Sequence, residues 1–413
     1  PVTIMGSFCV LFQFIICTHA DGYISLANLP GMEWLTMLTP IFSTCNYGCM
    51  NFMAIIDCAC IAMHFAENIG HVGDRTVPAV AIASFVTLID TKVVAKAAES
   101  GEEVVVSNVV SSSYTSSNGL FVAIIVAILA TYIYSKICDS GKVTLKLPDS
   151  VPPNVSASFS VLFPAVITLF IIAVIGWACG LAGLSVFEVI NKIMAPVQKI
   201  MTGLPGYLVV VFLMQLLWWF GIHGPNVMSP VTQAFMTTAY AANNALYAAG
   251  VPAMAGNSGT LADGTKATYS IICSTFGSTF FSTTGSGITG GLIIAVMLFS
   301  KRDDYKAICR LAIPCGIFNI NEPIIFGIPM VMNPLLGIPM FLAPIVSVSL
   351  GYFLTKIGFC PIMVVDAPWT TPCGLLGFLA SGGKLMGAIS QLLCFGTSIL
   401  IYTPFVLAAN KQA

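Results

Sequence analysis

Two short stretches place polar side chains among helix-breaking residues inside otherwise apolar sequence. In the first, Trp218-Trp219-Phe220-Gly221-Ile222-His223-Gly224-Pro225-Asn226, an aromatic helix runs into glycine, histidine and proline in quick succession. Pro225 biases Gly224 away from helical backbone, which puts His223 at a helix break. The second runs from Pro314 to Pro334 and carries Asn319, Asn321 and Glu322, the last directly before Pro323. Unwound backbone at membrane depth is tolerated only where protein buries it or where it lines a water-filled cavity, and a carboxylate there is expensive. A third stretch, Ala367-Pro368-Trp369-Thr370-Thr371-Pro372, adds an indole beside more broken helix. Carboxylate, imidazole, amides and indoles together suit hydroxyl groups and the apolar face of a sugar ring. The candidate binding set is therefore Glu322, His223, Asn321, Asn319, Trp369, Trp219 and Asn226, with Glu322 and His223 as the candidate catalytic pair. The plain alternative for His223 and Glu322 is a polar group that serves only the packing of a helix break.

Other patterns carry less. Asn46, Met50, Met53, Asp57, Cys60 and His64 follow helical spacing and define one face, which places Asp57 at membrane depth. Two readings stand for Asp57, a substrate path or proton relay and an inter-helix hydrogen bond. Gly285-Ser-Gly287-Ile-Thr-Gly290 matches a dinucleotide fingerprint, but no clear strand precedes it and a membrane-like helix follows. Its glycines and small hydroxyls fit close helix contact or a broken helix beside a polar cavity. Around Gly383-Lys384 the glycine and the Ser or Thr of a P-loop are missing. Cys58, Cys60 and His64 lack a fourth zinc ligand, and the 14 cysteines form no compact framework. No metal and no cofactor is expected.

The elements that position these residues must be membrane helices. Of 413 residues 57% are hydrophobic and 8% charged, with a mean hydropathy of +0.92, where soluble domains carry about 25% charge. The net charge of −1 offers no field for nucleic acid. Val151 to Phe187, and the residues between Lys266 and Lys301, contain no charged side chain, each run exceeding the roughly 20 residues a spanning helix needs. The apolar segments predict an all-α polytopic membrane protein of about ten spanning helices plus re-entrant pieces. Lys136, Lys142 and Lys146, and Lys301, Arg302, Lys306 and Arg310, mark two loops expected to face the cytoplasm. The proline-rich stretch Lys142–Asn154 predicts a boundary near residue 150, dividing 1–150 from 151–413. Residues 243–266 read as a polar excursion at the membrane surface. The chain opens at Pro1 inside an apolar run, so a preceding segment is expected.

GIHGPN at 221–226, FNINEPIIFGIPMVMNP at 318–334, APWTTP at 367–372 and LPDSVPPNVSASF at 147–159 resemble the lactose/cellobiose-type (diacetylchitobiose-like) permease, enzyme IIC, of the bacterial phosphoenolpyruvate-dependent sugar phosphotransferase system. The resemblance runs over essentially the whole chain and is looser from Ser7 to Gly73. It implies a homodimer in the bacterial inner membrane, each protomer having ten spanning helices and two re-entrant hairpins. It further implies an N-terminal dimerisation half, 1–150, and a C-terminal sugar-binding half, 151–413. Residues matching Glu322 and His223 would contact a β-linked disaccharide. A separate IIB protein, phosphorylated on cysteine and charged in turn by IIA, would transfer phosphate to the sugar's 6-hydroxyl. The competing reading is a proton-coupled secondary sugar transporter with Asp57 and Glu322 as relay carboxylates; an intramembrane hydrolase would need a nucleophile that the spacing around His223 does not supply.

Overall fold

A computed structural model describes residues 2–19, 25–96, 103–143, 148, 159–261, 264–328 and 330–411. The helices in chain order are α1 (Val2–Phe12), α2 (Thr39–Met50), α3 (Met53–Asn68), α4 (Thr76–Thr87), the short α5 (Ser112–Thr115), α6 (Leu120–Ser140), α7 (Leu162–Leu181), α8 (Val186–Met201), α9 (Leu204–Trp219) and α10 (Gly224–Ala248). They continue with α11 (Ser274–Phe280), α12 (Thr289–Phe299), α13 (Asp303–Ile317), α14 (Glu322–Gly327), α15 (Pro334–Lys356), α16 (Leu375–Ala380) and α17 (Leu385–Ala409). Among the described residues two antiparallel strand pairs interrupt the helices. One pairs β1 (Lys92–Lys96) with β2 (Glu103–Ser107) in the register Lys92 to Ser107, and the other pairs β3 (Ser258–Thr260) with β4 (Lys266–Thr268).

Among the described residues α6, α7, α15 and α17 are each long and apolar enough to cross a membrane, and the number rises to six if α2–α3 and α8–α9 each count as one broken span. Proline opens α9, α10, α14 and α15. At the first turn its missing N–H has no intrahelical partner to lose and its fixed φ suits the helix.

Contacts divide the chain into two compact units, Met50–Val197 and Pro1–Cys49 with Gln198–Ala413. The boundary expected near residue 150 lies outside the described residues, as does nearly all of the proline-rich stretch around it. In the first unit Ala54, Cys58, Ala62 and Ala66 make a buried four-residue-spaced stripe on α3, in one core with Val122, Ala123, Val126 and Ala127 of α6. Side chains this small let two helix backbones approach closely. Phe187 closes this core edge-on against Phe85 and Tyr114, at centroid distances of 5.6 and 4.8 Å. A reciprocal cap starts α8: the Ser185 N–H donates to Glu188 Oε2 at 2.7 Å and the Glu188 N–H to Ser185 Oγ at 3.1 Å.

Two local expectations change. The face running from Asn46 to His64 is not one helix, because the chain breaks at Asn51–Phe52 between α2 and α3. Asn46 instead donates to the Gly6 carbonyl at 2.9 Å, and the His64 side chain is 86% exposed. The polar stretch after residue 243 begins as buried helix. Asn243 Nδ2 donates to the carbonyls of Ser270 (2.8 Å) and Met363 (3.2 Å), and Asn244 Nδ2 to that of Val364 (2.9 Å). Residues 360–368 are non-helical and largely buried, so their carbonyls need side-chain donors, and these two amides supply them.

Candidate functional site

The second unit contains every candidate residue. Its core joins Trp218, Ile288, Leu292, Ile324, Ile325, Met340 and Tyr402, and three chain breaks meet around it.

The first break separates α9 from α10. Gly221 turns the chain at φ +80° and His223 caps α10, its Nδ1 accepting the Asn226 N–H at 3.2 Å. With Nδ1 as acceptor, the proton of the neutral ring sits on Nε2. Nε2 faces Glu322 Oε1 at 3.8 Å, the two side chains 39% and 45% exposed. Gly224 is required by space, since a Cβ there would stand 1.9 Å from the Met214 carbonyl oxygen of α9.

The second break lies between α11 and α12. Thr284, Gly285, Gly287 and Ile288 all have positive φ (56°, 91°, 82° and 51°), a conformation rare for β-branched residues and kept only where the surroundings enforce it. Here they do. Asn319 Oδ1 accepts the Thr284 N–H at 2.7 Å, Asn321 Nδ2 donates to the Ser286 carbonyl, and Tyr402 Oη donates to the Gly287 carbonyl at 2.8 Å. A Cβ on Gly285 would lie 2.4 Å from Asn321 Cγ.

The third break, Phe318–Asn321, hands α13 over to α14. Asn319, at φ +65°, also donates to the Trp369 and Thr371 carbonyls, which ties the Ala367–Pro372 segment to this loop. Asn321 is the N-cap of α14 and Glu322 its first residue.

The structure thus brings His223, Glu322 and the Asn226 N–H together, and sets Asn319 and Asn321 behind them with their amides engaged by protein. The Trp369 indole is 55% exposed. Trp219 Nε1 donates to the Asn333 carbonyl at 3.3 Å. Its neighbour Trp218, which sequence reasoning passed over, packs on the His223 ring at a centroid distance of 4.5 Å. Successive helix residues point about 100° apart, so only one of two adjacent tryptophans can face the histidine. Tyr402 was also passed over, sitting in an apolar helix with no motif around it. A cavity of about 580 Å³, lined by Thr284, Gly290, Ile293, Ile313, Gly316 and Phe395 among others, is apolar and contains neither His223 nor Glu322. Chemistry, not volume, locates the site.

A half-exposed imidazole and carboxylate held at breaks between apolar helices define a multi-pass membrane protein with a polar site among its interrupted helices. Residues 1–344 match the family described as Phosphotransferase system, EIIC. The chain is 32% identical over 421 residues to the Lichenan permease IIC component of Bacillus subtilis (strain 168), covering 100% of this chain and 87% of that protein. It is 32% identical over 420 residues to the PTS system cellobiose-specific EIIC component of Geobacillus stearothermophilus, with the same coverage. Its fold superposes with a TM-score of 0.86 on the crystal structure of the transporter ChbC, the IIC component from the N,N'-diacetylchitobiose-specific phosphotransferase system, at 30% identity over 100% of this chain and 91% of that one. The chain belongs to the EIIC family of the phosphotransferase system, as the motifs at 221–226 and 318–334 implied.

Proposed function

We propose that this EIIC chain is a sugar permease of the bacterial inner membrane that binds a β-linked disaccharide among its broken helices and moves it inward as phospho-IIB phosphorylates the sugar's 6-hydroxyl. The observation that carries this reading is the pairing of His223 Nε2 with Glu322 Oε1 at 3.8 Å. A donor and an acceptor that close, both open to a ligand, suit neighbouring oxygens of one sugar ring. The saccharides for which these three relatives are named, lichenan, cellobiose and N,N'-diacetylchitobiose, are β-linked, and the candidate set holds no free cation for an acidic sugar. The protomer is a ten-span chain with two re-entrant hairpins, working as a homodimer, with a dimerising half at 1–150 and the sugar site in 151–413.

Phosphoryl transfer passes through a loose transition state, so the protein's task is to hold the acceptor oxygen in line with the phosphocysteine and to balance charge. Glu322 accepts the hydroxyl's hydrogen bond and takes the proton as the new bond forms, a role worth about 10²- to 10⁴-fold. His223 donates from Nε2 to a neighbouring sugar oxygen. The exposed indole of Trp369 offers a face to the ring, and Trp219 and Asn226 border the site. Asn319 and Asn321 contribute by holding the loop that carries Glu322. Glu322→Gln keeps shape and one acceptor, so phosphorylation by phospho-IIB in vesicles should fall at least a hundredfold while equilibrium sugar binding falls less. Normal phosphorylation by that variant would remove Glu322 from the site. Uptake abolished by a protonophore would instead identify a proton-driven carrier.

A further inference from the structure

The unwound loop 284–288 has its Thr284 N–H and its Ser286 and Gly287 carbonyls answered by side chains, yet two polar side chains in the core beside it are not answered. Gln215 is completely buried, and neither its Nε2 nor its Oε1 has a hydrogen-bond partner among the described residues. Trp218, 2% exposed, leaves its Nε1 unpartnered in the same way. The two lie one turn apart on α9, where i and i+3 side chains are neighbours. Gln215 Oε1 lies 3.6 Å and Tyr402 Oη 3.4 Å from where a Cβ of Gly287 would stand, so amide, phenol and loop backbone converge. A buried donor left without an acceptor is destabilising, and native interiors leave very few.

We propose that Gln215, Trp218 and the Gly287 backbone form a buried polar site that takes one water molecule, and that Gln215 is thereby a positioning residue for Glu322. In this site a water accepts from Trp218 Nε1 and donates to Gln215 Oε1, the amide atom nearest Gly287, and to the Gly287 carbonyl beside the Tyr402 bond. That makes about the three bonds a buried water usually forms. The set argues for water over a cation, because the indole N–H is a donor only and would face a cation with its positive end. The loop so pinned is the one that Asn321 grips at Ser286, and Asn321 is covalently followed by Glu322. From the other side Trp218 packs on His223. One water thus braces both members of the pair from behind.

The functional consequence rests on the sugar-site reading, and the test separates the two. In a map of the wild-type protein at about 2 Å resolution, a density peak should lie within hydrogen-bond distance of the Gln215 amide, Trp218 Nε1 and the Gly287 carbonyl. No peak, or a Gln215 amide satisfied by protein atoms alone, overturns the site. Gln215→Met preserves volume without the polar atoms. It should keep the wild-type melting temperature or exceed it, yet bind the preferred disaccharide among cellobiose, lactose and N,N'-diacetylchitobiose at least fivefold more weakly. Gln215→Glu, whose protonated acid both donates and accepts, should restore most of that affinity. Wild-type affinity in Gln215→Met overturns the positioning role. If Glu322→Gln also binds and phosphorylates normally, it is the sugar-site reading that has failed. If Gln215→Met does not fold, the wild-type map decides.

Discussion

His223 works with both ring nitrogens, and the two jobs can be separated by substitution. Nδ1 caps α10 and Nε2 faces Glu322. His223→Asn supplies another capping acceptor but nothing at the Nε2 position, so its melting temperature should stay near that of the wild type while sugar affinity drops. His223→Ala loses the cap as well and should be about 1 kcal/mol less stable. Equal sugar binding in all three proteins would leave His223 a cap and nothing more. Asn319 tests the opposite role. It answers the Thr284 N–H and two carbonyls of the Trp369 segment, so Asn319→Ala strands buried backbone groups at about 1 to 3 kcal/mol. Stability and sugar affinity should fall together there, a coupling that Glu322→Gln should not show.

At the scale of elements, short helices and their breaks depend on a few buried amides. Gln391 on α17 accepts the Gly374 and Gly377 N–H groups, both at 2.8 Å, and donates to the Thr279 carbonyl and to Thr283 Oγ1, both at 3.1 Å. One side chain thereby joins α16 and α11 to a spanning helix. Gln391→Leu should lower stability by about 3 kcal/mol or more, since two backbone donors lose their acceptor at once; an unchanged melting curve would show that these ends are satisfied otherwise. Gly224 sets the close approach of α10 to the end of α9. Gly224→Ala forces backbone apart and should cost about 1 to 3 kcal/mol. Sugar binding should be lost even where folded protein is recovered, because His223 moves with the helix it caps.

For the whole molecule, charge distribution fixes orientation. Lys136 lies near the end of α6 and Lys142 follows it, and Lys301, Arg302, Lys306 and Arg310 surround the start of α13; by the positive-inside rule both regions are expected on the cytoplasmic side. Not all of this charge is equally available. Arg302 is engaged by Asp304 at 2.6 Å and stacks on Tyr305 at 3.9 Å, and that pairing holds the Asp304 carboxyl below its usual pKa. A Ser140→Cys probe should stay unlabelled by an impermeant thiol reagent in intact cells and react once the membrane is opened. Labelling from outside would invert the topology. Because intrinsic cysteines such as Cys45 and Cys60 are exposed, the probe is read against the parent protein.

Composition alone settled the solvent, since a chain with 8% charged residues has no other way to bury its surface than in lipid. Local chemistry settled the breaks. Proline after His223's glycine and after Glu322 cannot continue a preceding helix, and both breaks fall where those residues stand. The motifs around them were specific enough to place the chain in its family. The tertiary structure alone decided which groups meet. Helical phase turns Trp218 toward His223 and sends Trp219 to the Asn333 carbonyl. The left-handed loop at 284–288 is stable only because Asn319, Asn321 and Tyr402, remote in sequence, reach it. Asn243 and Asn244 read as part of a polar excursion at the membrane surface and are buried, because the carbonyls they satisfy belong to a segment about 120 residues away. A hydrogen bond between distant segments leaves no periodicity in either, so it is invisible until the chain is folded.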